Sequence, residues 1–203
     1  MIRQVRVGNV LLGGGNIAVQ SMTTTKTSDV EKSVAQILSL RDAGCDIVRV
    51  AVADEADARA LRQICGRVGV PVVADVHFSA KLAVLAVENG ADKLRINPGN
   101  IGGEEEIALV ADCVKAHHVP VRVGANTGSI EKKHLEKYGR SAEALVLSAL
   151  DNVAVLEKHG VEDIVVSVKA SDVPLTVEAY TLLRKRCDYP LHLGVTEAGT
   201  RHM

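Results

Sequence analysis

Polar and charged side chains stand at the C-terminal ends of a series of valine-rich runs. They are Gln20 and Ser21, Arg49, Asp75 and His77, Arg95 and Asn97, Arg122 and Asn126, Lys169, and Thr196 with Glu197. Gathered on one face, Arg49, Arg95, Arg122 and Lys169 would carry more like charge than a protein interior tolerates without a compensating anion. A ligand with two phosphates would supply it, and guanidinium groups suit bidentate contact with phosphate oxygens. The competing reading pairs these cations with Asp75, Glu197 and helix acids, which needs no ligand.

The stretch from Lys93 to Glu104 shows the anion chemistry most plainly. A short strand carries Arg95 and Asn97 on one side, breaks at Pro98-Gly99, crosses Gly102-Gly103, and enters a helix that begins with three glutamates. A helix N-terminus with free N–H groups is itself an anion site. Set among the other strand ends, however, Arg95 and Asn97 are the contributors, and Gly102-Gly103 reads as turn and packing.

Asp75 and His77 share a face of one strand end, as acid–base chemistry or substrate positioning requires, although a satisfied core histidine fits equally. Lys169 ends an apolar strand and could be a Schiff-base nucleophile or a phosphate contact. Thr196 and Glu197 offer a hydroxyl and a carboxylate to substrate hydroxyls. His117, His118, His134 and His159 fall in helices or loops and are expected to be solvated.

The elements that must position these residues follow from periodicity. A small hairpin is expected over 4–15, with Val5 and Val7 alternating and a turn at Gly8-Asn9. Strands are then expected at 17–22, 46–52, 70–76, from 93, and at 119–126, 163–171 and 190–199, with amphipathic helices between them. Ser28 or Asp29 can cap the first helix, which Gly44 ends. Strand–helix alternation means a parallel sheet, either doubly wound or an eight-fold barrel. Polar residues at nearly every strand end, not only at one switch point, favour the barrel. The fold class is therefore α/β, a TIM-type (β/α)8 barrel of which this chain carries about seven strands, a truncated substrate-binding domain over 1–203.

The 203-residue chain is 47% hydrophobic and 24% charged, with a formal net charge of -1, so any anion site must be local. Aromatics at 2% give no stacking platform for nucleic acid. No apolar run approaches a membrane span, and the N-terminus lacks a signal-peptide core, so a cytoplasmic protein without nucleic-acid or membrane partners is expected. Cys45, Cys65, Cys113 and Cys187 have no ligand spacing and read as small buried hydrophobes, with no metal site in this chain.

Six motifs occur in order: Val19-Gln-Ser-Met-Thr, Asp46-Ile-Val-Arg-Val, Val73-Ala-Asp-Val-His-Phe78, Leu94-Arg-Ile-Asn-Pro-Gly-Asn-Ile-Gly102, Val166-Ser-Val-Lys-Ala-Ser171 and His192-Leu-Gly-Val-Thr-Glu-Ala-Gly199. Together they resemble the bacterial 4-hydroxy-3-methylbut-2-enyl diphosphate synthase family, over its N-terminal barrel domain. The resemblance implies reductive ring opening of 2-C-methyl-D-erythritol 2,4-cyclodiphosphate in the non-mevalonate isoprenoid pathway. It implies electrons from ferredoxin or flavodoxin through a [4Fe-4S] cluster, and a homodimer in which one subunit's cluster domain caps the other's barrel. Diphosphate binding is then implied for Arg49, Arg95, Asn97, Arg122, Asn126 and Lys169, and catalytic-site roles for Asp75, His77, Thr196 and Glu197.

Family members continue into an eighth strand and a C-terminal domain whose Cys-Pro-x-Cys motif, a later Cys and a Glu hold the cluster. Those ligands are not in this sequence, so the chain alone is expected to bind the cyclic diphosphate weakly and to reduce nothing. The rival readings are a pterin-binding or Schiff-base barrel enzyme, suggested by Gln20-Ser21-Met22 and Lys169, and a non-catalytic assembly fragment with open sheet edges.

Overall fold

Valine and isoleucine runs form the strands, and each amphipathic run that follows forms a helix on the outside. A computed structural model describes residues 2–195. An antiparallel hairpin, β1 (Val5–Val7) and β2 (Val10–Leu12), comes first. Six parallel strands follow: β3 (Gln20–Met22), β4 (Ile47–Val52), β5 (Val72–Val76), β6 (Lys93–Arg95), β7 (Val121–Asn126) and β8 (Ile164–Lys169). Between them lie α1 (Val30–Asp42), α2 (Glu55–Val68), α3 (Ala80–Glu88), α4 (Pro98–Ile101), α5 (Glu104–Ala116), α6 (Lys132–Tyr138) and α7 (Ala142–Lys158), and α8 (Val173–Arg186) follows β8. Strand order in the sheet is sequence order, so there is no switch point among the described strands, and the curled sheet is part of a TIM-type barrel.

The seventh strand expected at 190–199 is represented by one parallel bridge, Leu191 to Val166, held by His192 N–H donating to the Val166 carbonyl at 2.9 Å. Thr196 and Glu197 lie outside the described residues. The first barrel strand is shorter than its apolar run, because β4 is its sole partner among the described residues and pairs over Gln20–Met22. Ile17 is left 92% exposed.

Helix starts follow the polar residues that precede them. Asp29, Asp54, Ser79, Ser141 and Asp172 each accept a backbone N–H in the first turn of α1, α2, α3, α7 and α8. Alternation divides the sheet's two faces. Val48, Val50, Val72, Ala74, Leu94, Val121, Ile164 and Val166 bury outward, in one core with Ile37, Leu61, Ile64, Leu145, Leu156 and Leu183 of the helices. Each buried valine, leucine or isoleucine side chain contributes about 1.5–3 kcal/mol.

The inward face is layered along the strands. At the N-terminal end Ile47 and Val73 pack on Val7, with Val10, Leu12 and Ala18 against them, so the hairpin stoppers that end of the sheet. The next inward positions, one step of the pleat toward the C-terminal ends, are polar. The sheet thus has an apolar floor and a charged upper half.

Candidate functional site

The inward positions above the floor are Gln20, Arg49, Asp75, Lys93, Arg95, Arg122, Gly124, Ser167 and Lys169. Their registers place them side by side: Asp75 pairs with Arg95 and Arg95 with Arg122, while Gly124 pairs with Ser167 and Asn126 with Lys169. In a parallel sheet paired residues share a face, so these groups converge. Between them lies a cavity of about 370 Å³ lined by Arg49, Asp75, His77, Arg95, Arg122, Gly124, Asn126, Ser167 and Lys169, among others. A second cavity of about 650 Å³ shares Arg49 and Lys169 with it, is lined also by Gln20, Lys93 and His192, and opens between β3 and the Leu191 segment.

Asp75 is 4% exposed and anchors the basin. Arg95 Nη1 donates to Asp75 Oδ1 at 2.9 Å, and Arg49 Nε lies 3.7 Å from Oδ2. Arg95 Nη1 also lies 3.0 Å from His77 Nε2, which is 3.4 Å from Asp75 Oδ1. The same Arg49 Nε, at 3.1 Å, and Arg49 Nη2, at 2.9 Å, donate to Met22 Sδ, a weak acceptor. Arg122 is 3% exposed. It donates to Ser167 Oγ at 3.3 Å, and its buried Nε has no acceptor among the described residues.

Like charge and burial act together on these groups. Burial first, then Arg49 and Arg95, push Arg122 down to about 9. Burial, then Arg122, Arg49 and Arg95, push Lys169 down to about 8 against the pull of Asp75. Arg49 is also lowered by burial, with Arg95 adding to it. Five basic side chains (Arg49, Lys93, Arg95, Arg122 and Lys169) thus share one inward carboxylate, Asp75, among the described residues. A site in that condition is preorganised for an anion.

Gly124 makes the arrangement sterically feasible, because a Cβ there would fall 1.8 Å from the Ser167 carbonyl oxygen. The glycines after Arg95 have a different task. Gly103 N–H donates to Glu106 Oε2 at 2.9 Å, so the N-terminus of α5 is occupied by its own glutamate. A Cβ on Gly102 would meet that same glutamate at 2.7 Å. The expected turn-and-packing role fits this geometry.

Residues 2–203 match the family model described as the GcpE TIM-barrel domain. The chain belongs to this family. It is 54% identical over 202 residues to the 4-hydroxy-3-methylbut-2-en-1-yl diphosphate synthase (flavodoxin) of Caldanaerobacter subterraneus, a match covering 98% of this chain and 57% of that protein. It is 53% identical over 201 residues to the protein of the same name in an Exiguobacterium species, covering 98% of this chain and 54% of that one. The chain thus spans little more than half the length of these curated relatives. Among solved structures, a type I 3-dehydroquinate dehydratase from Clostridium difficile superposes with a TM-score of 0.71 at 17% identity, over 96% of this chain and 81% of that one. A dihydropteroate synthase from Stenotrophomonas maltophilia gives 0.62 at 18%, over 90% and 71%. Both likenesses concern the fold.

Of the site residues expected from sequence, Arg49, Asp75, His77, Arg95, Arg122, Asn126 and Lys169 line the one basin of this GcpE-family barrel. Asn97 does not line it. β6 ends at Arg95, and the Asn97 side chain accepts the Gly99 N–H at 3.2 Å as the cap of α4. His134 and His159 are not solvated as expected. His134 Nε2 lies 2.6 Å from Asp151 and His159 Nε2 3.2 Å from Glu104, with side chains 14% and 15% exposed. Each lies against a facing helix that supplies a carboxylate, which sequence spacing does not reveal.

Three residues that line these cavities escaped the sequence reading: Lys93, Ser167 and His192. Each carried a usable signal. Lys93 stands two residues before Arg95, and Ser167 two before Lys169, so period-two alternation places each on the inner face with its neighbour. His192 follows the Leu191 bridge and lines the cavity of about 650 Å³. Its imidazole is driven far down, first by burial and then by Arg122, Lys169, Lys93 and Arg49.

Proposed function

We propose that this chain is the substrate-binding barrel of a 4-hydroxy-3-methylbut-2-en-1-yl diphosphate synthase, which reductively opens 2-C-methyl-D-erythritol 2,4-cyclodiphosphate in isoprenoid biosynthesis. The observation that carries the proposal is the inward basin in which Arg49, Arg95, Arg122 and Lys169 surround Asp75. Arg49, Arg95, Arg122 and Lys169 would bind the diphosphate oxygens, with Asn126 at the rim donating an amide N–H. Asp75 holds Arg95 and Arg49 in place, so the fork that meets the ligand is oriented before it arrives. His77, beside Arg95, would close the mouth of the basin over the substrate. Thr196 and Glu197, outside the described residues, belong to the same proposal as the polar pair nearest the carbon skeleton.

In the whole protein the [4Fe-4S] cluster would supply two electrons, received from flavodoxin or ferredoxin, within a cytoplasmic homodimer. The residues of this chain do not fit that cluster. Cys45, Cys65, Cys113 and Cys187 are free, and burial pushes the Cys65 thiol up to about 12, away from the thiolate a cluster needs. The single group of three metal-capable side chains that lie together among the described residues, Glu131, His134 and Asp151, contains no cysteine. The proposal therefore assigns this chain binding and orientation, and assigns electron delivery to a further cluster domain. Among the described residues no helix is long and apolar enough to cross a membrane.

Calorimetric titration of the full-length protein with the cyclodiphosphate tests the reading. Saturable binding is expected, weakened at least tenfold by Arg95→Ala. A folded protein that gives no heat, or an Arg95→Ala variant that binds equally well, would overturn it. One observation favours a second reading: Lys169, lowered to about 8, is a partly neutral amine suited to Schiff-base chemistry. Borohydride trapping of a carbonyl substrate on Lys169 would support that reading, and a protein left unmodified would count against it.

A further inference from the structure

Lys93 lies beneath the basin rather than at its rim. It is 1% exposed, on the inner face of β6 two residues before Arg95. Its Nζ donates to Gln20 Oε1 at 3.1 Å, a neutral partner on β3. From the other elements it is within the field of Arg49 on β4, Arg122 on β7 and His192, and it lines one cavity with Arg49, Lys169 and His192. Asp75 is already engaged by Arg95 and Arg49, and Lys93 forms no ion pair among the described residues. A buried amine with one amide partner and guanidinium neighbours is poorly placed to hold a charge while the basin is empty.

On the reading of the basin as an anion site, we propose that Lys93 is its proton-accepting positioning residue. A ligand entering beside Arg49, Arg122 and Lys169 draws one proton from solvent onto Lys93 Nζ, and the ammonium so formed balances the ligand's charge from below. Burial, then Arg122 and Arg49, push the free amine down to about 7, so near neutrality a small change in field moves its proton. An anion reverses that field and raises the value. The neighbours are less suited to the task. Lys169 is more open to solvent, Arg122 at about 9 is already charged near neutrality, and His192 would need a much larger upward shift.

By linkage, above about pH 7 the free protein lacks a proton that the complex holds. Affinity should then fall with rising pH, by up to about tenfold per unit. Below about pH 7 the amine is already charged and the uptake fades.

The test is calorimetry on the full-length protein in triethanolamine and Tris buffers, whose ionisation heats differ. The probes are the cyclic diphosphate and sulfate. Each phosphorus of the ring carries one strongly acidic oxygen, and sulfate is fully ionised, so neither probe can exchange the proton. Uptake of a sizeable fraction of a proton per ligand is expected at about pH 8, shrinking toward none at about pH 6. Lys169, at about 8, can add a fraction of its own, so the decisive background is Lys169→Arg: uptake should persist there, and adding Lys93→Met should abolish it.

Binding without uptake at about pH 8 would overturn the proposal, as would uptake that disappears in Lys169→Arg or survives in the Lys169→Arg/Lys93→Met double variant. Should Lys93→Met not fold, the pH series of the unsubstituted protein and the Lys169→Arg variant still decide. No binding of either probe would remove the anion site itself and this inference with it.

Discussion

On the outer surface Arg67 donates to both oxygens of Glu31 at 2.6 and 2.9 Å, and Arg186 to both oxygens of Glu143 at 2.9 Å. On the inner face Arg49, Arg95 and Arg122 have one carboxylate, Asp75, among the described residues. Arg122 settles for a hydroxyl at 3.3 Å, and Arg49 for a thioether. The outer pairs are complete as they stand and wet enough to contribute little. The inner set is incomplete without a ligand, in a place where desolvation makes every missing partner costly. The same residue type is thus a solubilising ornament on one face and, on the proposed reading, a binding device on the other, and what distinguishes them is the supply of acceptors.

The sharpest way to break this contrast is to remove the inner arginine with the fewest partners. Arg122→Met should weaken binding of the cyclic diphosphate by about a hundredfold or more, the worth of a buried charge-assisted contact. It should leave the unliganded protein equally or more stable, because a buried uncompensated cation is gone. Calorimetry and urea unfolding on the same samples read both effects, and a loss of stability would show that Arg122 serves the fold.

Asp75→Asn tests the opposite side of the balance. Removing the one acid facing the cations should destabilise the free protein by about 3 kcal/mol, and added sulfate should recover part of the loss. Unfolding midpoints with and without sulfate check it, and an unchanged midpoint would mean that Asp75 is not the anchor.

The pH dependence of stability follows from the depressed lysines. Lys93 and Lys169 are lowered from 10.5 to about 7 and about 8, so above those values the unfolded chain holds more protons than the folded one. Their contribution should therefore make stability rise with pH from about 7 to about 9, and fall as pH drops through the folded values. Urea midpoints across that range should slope upward, and less so in Lys93→Met.

The smallest effect is expected outside. Arg186→Met breaks a bidentate pair that is one-third exposed, and should cost less than about 1 kcal/mol with anion affinity unchanged. A large change in affinity would mean that the two faces are not independent.

Much of this was legible in the chain itself. The alternation of valine runs with helical patterns, and a cap at Ser28 or Asp29, announced a parallel barrel, because those signals are local. Arg49, Asp75, Arg95, Arg122 and Lys169 were legible as strand-end residues for the same reason. Asn97 marks where local reading stops: two residues beyond Arg95 the alternation has ended, and a capping bond to Gly99 claims the side chain. His134 and His159 were read as solvated because their carboxylate partners come from elsewhere in the sequence.

The sequence by itself determined which residues face inward, since a strand's side chains alternate whatever surrounds it. It determined too that arginines and lysines would collect on that face. Tertiary structure decided what company they keep. Only the curling of six strands in sequence order sets Lys93 beneath Arg95, between Gln20 and Arg122, and leaves those cations one acid to share. Burial and acceptor supply depend on residues far apart in the chain, and those two quantities turn a row of basic residues into a site.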